Sequence, residues 1–250
     1  MNRSFGVTDP GLKRQNNQDI FYKADTEGIW LVADGMGGRI GGEVASKIAQ
    51  DTIVSRLKEG VGSKLAILSA HRAILEHGEI HQELKGLGTT VVLVKEDDHK
   101  AKISWVGDSR VYLWRKNTLT QLSKDHSVVQ RLLDNGIITH EEALNHPQRN
   151  LVTSILGIAV DNEADLEIGL INFDWCNDDK LMLCSDGLTD ELLDAQIQEI
   201  MASDFDSEQQ TKNLLQASLV AGGRDNTTIL IIEAPKVKNL ILRLIDWARA

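Results

Sequence analysis

Along this chain of 250 residues, apolar and polar positions follow two periods, and the period changes in blocks rather than at every element. Short apolar runs at 5–8, 20–24 and 29–33 predict three early strands; the last is apolar throughout, as in a strand buried on both faces. From 43 to 57 the apolar residues Val44, Ala45, Ile48, Ala49, Ile53 and Leu57 recur at helical spacing, and a second helix is predicted over 65–84. Beyond Gly86 the strand period returns at 89–94, 102–106 and 110–114, with a polar turn at 96–100 and a hairpin through Lys116-Asn117, which predicts an antiparallel meander. A helix over 127–133 ends at Gly136, and Thr139-His140-Glu141-Glu142 reads as the capping sequence of a short one. Residues up to 156 form an irregular insert. Strands at 166–171 and 180–184, helices around 190–201 and 207–220, and a strand at 228–232 complete the body.

Segregated blocks of antiparallel strands and helix pairs predict an α+β fold, with sheets packed together and helices outside. The length suits one core, so residues 1–235 are expected to form a single domain. Residues 236–250 stand apart as an amphipathic helical tail, with Leu240, Ile241, Leu244, Ile245 and Trp247 on one face and a partner-docking role in view. Only 3 prolines argue against disordered linkers. A net charge of −10 argues against nucleic acid or an anionic membrane as partner. Cys176 and Cys184 form no C-x-x-C pair and read as parts of one sheet region, which predicts a reducing compartment. The start Met1-Asn2-Arg3-Ser4-Phe5-Gly6 lacks an apolar targeting segment and no run reaches the ~18 apolar residues of a membrane span, so a cytoplasmic protein is expected.

The candidate chemistry gathers at Asp34, where the apolar run ends in Asp34-Gly35-Met36-Gly37-Gly38. Glycines there suggest a phosphate loop, but the spacing fits neither G-x-x-x-x-G-K-[ST] nor G-x-G-x-x-G, because Ile40 stands where the last glycine belongs. A carboxylate beside the Gly35 carbonyl suits a hard cation instead. Asp108, Asp186 and Asp225 repeat the setting, each following or ending a strand-like run. Buried carboxylates are costly unless a cation or donors compensate them, so four converging ones argue for metal. All-oxygen ligation selects Mg²⁺ or Mn²⁺ over zinc. Two such ions about 4 Å apart can share a bridging water, bring its pKa toward neutrality and clamp an in-line phosphoryl displacement, with Arg14 forking onto the phosphate oxygens. The implied reaction is hydrolysis of a phosphate ester.

Blander readings stand beside these. A single Asp-Gly is more often a turn. His77 and His81, four apart, could ligate zinc, but the H-E-x-x-H glutamate is absent and a surface reading is favoured. Asp125-His126 invites an acid/base role, and a helix-start role is favoured.

Taken in order, seven segments resemble the metal-dependent protein phosphatases, the protein phosphatase 2C-like family, in its compact bacterial form. They are Arg14-Gln15-Asn16-Asn17-Gln18-Asp19, Val32-Ala33-Asp34-Gly35-Met36-Gly37-Gly38, Gly88-Thr89-Thr90, Val106-Gly107-Asp108-Ser109-Arg110, Leu122-Ser123-Lys124-Asp125-His126-Ser127, Leu183-Cys184-Ser185-Asp186-Gly187-Leu188 and Asp225-Asn226-Thr227-Thr228. The resemblance implies a sandwich of two antiparallel β-sheets flanked by pairs of α-helices, with the metals at one end. It implies a serine/threonine protein phosphatase in which a hydroxide bridging two Mn²⁺ or Mg²⁺ ions attacks phosphoserine or phosphothreonine directly. By family pattern Asp34 bridges both ions, Asp186 and Asp225 complete the first site, and the Gly35 carbonyl joins the second. Asp108 with Asp186 matches a third, weaker metal site, while Gln18, Asp19 and Asn226 surround the ions through water. Arg14 matches the phosphate-binding arginine, and 136–156 matches a flap beside the cleft. The partners implied are phosphorylated proteins and a cognate serine/threonine kinase, with the enzyme a monomer. Three positions depart from the pattern: Met36 stands where many eukaryotic members carry a histidine proposed as general acid, Arg39 replaces a histidine common in bacterial relatives, and Ser154 stands where an arginine is frequent. A degenerate binding module and a two-metal phosphodiesterase are the competing readings.

Overall fold

The computed structural model describes residues 3–97 and 100–235, and for 38–40 the backbone only. The expected tail at 236–250 lies outside the described residues. Strands β1 (Ser4–Asp9), β2 (Asp19–Ala24) and β3 (Ile29–Met36) precede helices α1 (Gly38–Lys58) and α2 (Ser63–Ile80). The meander follows as β4 (Gly88–Thr89), β5 (Val91–Asp97), β6 (Lys100–Val106), β7 (Arg110–Arg115) and β8 (Thr118–Gln121). Next come α3 (Val128–Asp134), α4 (His140–Leu144), β9 (Gly169–Asp174), β10 (Lys180–Cys184), α5 (Asp186–Thr189), α6 (Asp194–Met201), α7 (Ser207–Ala221) and β11 (Thr227–Glu233).

Two antiparallel sheets form, one in the order β1-β11-β10-β7-β8 and the other β2-β3-β5-β6-β9, with β4 paired to the end of β3. Strand alternation explains the uninterrupted apolar runs. In β3, Ile29, Leu31 and Ala33 face α1 and α2, while Trp30 and Val32 join the core between the sheets. In β11, Leu230 and Ile232 enter that same inter-sheet core, whereas Ile229 and Ile231 pack with Leu188, Ile197 and Leu214 beneath the second helix layer. The result is the expected four-layer α-β-β-α sandwich.

Several boundaries differ from those predicted. Helix α1 begins at Gly38 rather than at 43, so most of the glycine-dense stretch is helix and not loop. The strand expected over 166–171 runs instead as Gly169–Asp174, because Leu166 is drawn into the core beneath α1 and α2 and pairing with β6 begins only at Gly169 opposite Trp105. The helix expected around 190–201 begins only at Asp194. Leu188 and Leu192 turn into the outer core before it, and the Tyr112 hydroxyl donates to Asp194 Oδ1 at 2.9 Å. The cysteines do not share a sheet region: Cys184 is buried in β10, and Cys176 is exposed in the connection after β9 of the other sheet; both are free thiols.

Candidate active site

Asp34 lies inside β3 rather than at its end, because Gly35 and Met36 continue the strand by pairing with Thr89 and Gly88 of β4. Its backbone is fixed on both sides. Thr90 N–H and the Thr89 hydroxyl both donate to Asp34 O at 2.8 Å, and Asp34 N–H donates to Thr90 Oγ1 at 3.3 Å. The next residue is glycine for a steric reason: a Cβ on Gly35 would stand 2.0 Å from the Gly42 carbonyl oxygen, where the first turns of α1 cross the strand.

The other carboxylates arrive from separate elements. Asp19 opens β2 directly across from Asp34, Asp108 sits in the turn between β6 and β7, Asp186 begins α5 after β10, and Asp225 precedes β11. Asp186 is therefore a helix start and not merely a turn. Asp34, Gly35, Asp108, Asp186, Asp225, Gln18, Asn226 and Arg14 all line one cleft of about 1080 Å³. Asp19 lies behind it, 7% exposed, with Oδ2 accepting from the Ser185 hydroxyl at 2.6 Å and Oδ1 without a hydrogen-bond donor.

So many carboxylates in one place disturb one another. Burial first, then the charges of Asp19, Asp186 and Asp108, holds the Asp34 carboxyl well above the usual carboxylate range. Asp186 is raised well above that range as well, by burial and then by Asp108 and Asp190. Burial lifts both Asp19 and Asp108 to about 6. A divalent cation is the natural counter-charge for this set, and every donor is a hard oxygen, which fits Mg²⁺ or Mn²⁺. Among the described residues no three His, Cys, Asp or Glu side chains already close around one point. Asp225 Oδ2 accepts from Arg14 Nη2 at 2.6 Å, so the arginine and a cation compete for the same oxygen. That contact also raises the Arg14 pKa, further securing its charge.

The neighbouring residues hold the loop of Arg14 in place. Asn226 accepts Gln18 N–H at 2.8 Å and donates to Pro10 O and Asn16 O at 3.0 and 2.9 Å, tying the β1–β2 loop to the start of β11. Sequence reasoning missed Asp190. It follows Asp186 by one helical turn, donates its N–H to Asp186 O at 2.7 Å, and accepts from the flap residue Asn150 at 3.2 Å. The spacing Asp186-x-x-x-Asp190 was the available signal. The alternatives resolve as structural. His77 and His81 lie with ring centroids 4.4 Å apart and planes tilted by 33°, and they do not line the cleft. His126 is buried, accepts Gly107 N–H at 3.2 Å and stacks on Trp105, while Asp125 pairs with Arg110 through Oδ2 at 2.7 Å. Met36 is a cleft residue, 43% exposed.

Comparison with known proteins shows the family and the fold. The family described as Protein phosphatase 2C matches residues 12–221. The serine/threonine phosphatase stp of Listeria welshimeri is 34% identical over 239 residues, covering 90% of this chain and 93% of the relative. The crystal structure of the Mycobacterium tuberculosis serine/threonine phosphatase PstP/Ppp superposes with a TM-score of 0.84 at 34% identity, over 92% of this chain and 97% of that one. The catalytic domain of PstP in complex with 2 manganese ions superposes at 0.81 with 32% identity, over 92% of this chain and 97% of that one. On sequence, fold and cleft together, this chain belongs to the protein phosphatase 2C family.

Proposed function

We infer that this chain is a Mn²⁺- or Mg²⁺-dependent serine/threonine protein phosphatase in which Asp34, Asp186 and Asp225 hold one ion and Asp34 with the Gly35 carbonyl holds the second. The observation that carries the residue assignment is the meeting of these groups with Arg14 in one cleft although four separate chain segments supply them. When bound, the ions supply a water acidic enough to attack at neutral pH and positive charge for the transferring phosphoryl group. Arg14 presents its guanidinium to the non-bridging phosphate oxygens, and releasing Asp225 frees Nη2 for that contact. Asp108 with Asp186 offers a third, weaker cation position. Asp19 Oδ1, Gln18 and Asn226 orient water around the ions, with Asn226 also fixing the Arg14 loop. The thioether of Met36 has no proton to give and no histidine lines the described cleft, so no imidazole there protonates the leaving group.

The substrates in this reading are proteins carrying phosphoserine or phosphothreonine, opposite a cognate kinase, with the enzyme a cytoplasmic monomer. Among the described residues no helix is long and apolar enough to cross a membrane. The test is Mn²⁺-dependent hydrolysis of a phosphothreonine peptide by Asp34→Ala and Asp186→Ala. Both variants are expected to lose activity, and normal turnover by either refutes the assignment.

A further inference from the structure

The lining of the catalytic cleft is uneven in chemistry. The β1–β2 loop brings Lys13 and Arg14, whereas Met36, Val152 and Ile155 bring only apolar surface. Met36 is 43% exposed, and Val152 and Ile155 are half-buried. Apolar surface kept open inside a cleft marks a place where something apolar binds.

The backbone under this surface is paired although Val152 and Ile155 belong to the returning arm of the flap. Thr89 and Leu156 exchange both backbone hydrogen bonds, at 3.1 and 3.0 Å, and Leu156 is fully buried. A second isolated bridge joins Ser127 to Val152, where Val128 N–H donates to Leu151 O at 3.0 Å and Thr153 N–H to His126 O at 2.7 Å. Ile155 is also held beside Met36. Gly88 is the cross-strand partner of Met36, and a Cβ on Gly88 would stand 2.8 Å from Ile155 Cγ2, so the isoleucine lies directly on the backbone pair that carries Met36. A preformed surface of this kind costs little ordering on binding. It offers no hydrogen bond to a polar or charged side chain, which would lose its water there without compensation.

We propose that Met36, Val152 and Ile155 form a specificity subsite that takes an aliphatic side chain within two residues of the phosphoresidue in a protein substrate. The subsite rests on the phosphatase reading above and adds a substrate preference to it; its continuity with the cleft of Asp34 and Arg14 fixes the occupant as part of the same substrate chain.

The test uses the full chain with Mn²⁺ and a set of phosphothreonine peptides, each carrying leucine or glutamine at one of the four nearest flanking positions in a glycine-serine background. At one of these positions leucine is expected to raise kcat/KM by roughly tenfold over glutamine, chiefly through KM, the scale of discrimination an apolar pocket achieves. In the double variant Val152→Ser/Ile155→Ser that ratio is expected to fall to near one. Equal kcat/KM for leucine and glutamine at every position in the unaltered enzyme overturns the subsite without any variant having to fold. A ratio that persists in the folded double variant overturns it too. Failure to hydrolyse any peptide overturns the phosphatase reading and the subsite with it.

Discussion

Replacing Asp108 by asparagine is expected to make the protein more stable in a chelator while weakening its response to Mn²⁺. Asp108 is half-buried at the cleft, with its carboxyl raised to about 6, first by burial and then by the charges of Asp125 and Asp190, against a partial offset from Arg110. The rise from 3.8 to about 6 is a little over two units, and at about 1.36 kcal/mol per unit the ionised carboxylate costs the fold at most roughly 3 kcal/mol. Because the side chain opens onto the cleft, screening by solvent reduces this to on the order of 1–2 kcal/mol. The sign follows from linkage: the folded state holds the proton more tightly than the unfolded chain, so the penalty is absent below pH 3.8, grows between 3.8 and about 6, and is complete above. Urea unfolding of both proteins in a chelator should therefore show Asp108→Asn ahead by about 1–2 kcal/mol near neutral pH, with the gap closing toward pH 4. Adding Mn²⁺ should reverse or narrow the gap, because a cation stabilises by RT ln(1 + [L]/Kd), about 2.7 kcal/mol at a hundredfold excess over Kd, and the variant has one carboxylate fewer to bind it. A variant less stable than the unaltered protein in chelator at neutral pH would refute the reasoning. Asp108 would then be a structural acceptor rather than a charge held for an ion.

Two further outcomes follow from single contacts. Gly35→Ala places a Cβ 2.0 Å from the Gly42 carbonyl oxygen, so backbone must shift; a loss of stability of about 3 kcal/mol or more is expected, together with weaker Mn²⁺ binding by calorimetry. His71 is buried and accepts Gly157 N–H at 3.2 Å, and burial holds its pKa below 6.5, so the stability it contributes is complete above about pH 6.5 and falls on acidification through the folded-state pKa. His71→Leu should remove that part of the pH slope and cost about 1–3 kcal/mol for the orphaned N–H, both read from denaturant melts in Mn²⁺ at several pH values.

The segments carrying chemistry were legible because each is a local pattern: an apolar run, a carboxylate, then small residues. Asp34, Asp108, Asp186 and Asp225 could be picked out one by one, and their order along the chain pointed to the family. The layer arrangement was legible too, since strands apolar at every position require cover on both faces. Element ends were not, because they depend on partners distant in sequence. Leu166 leaves its predicted strand to fill the core under α1 and α2, and Leu192 fills the other helix layer so that the predicted helix starts only after it, at Asp194.

The sequence by itself thus determined the composition of the site, the class of cation its oxygen donors suit and the two-sheet architecture, all of which depend on residue type and local period. Only the tertiary structure decided that Asp225 is shared with Arg14, that Asp190 stands one turn below Asp186 and reaches the flap, and that Ile155 lies over Gly88 beside Met36. These are distances between segments up to 211 positions apart, set by how sheets and loops pack rather than by any pattern along the chain.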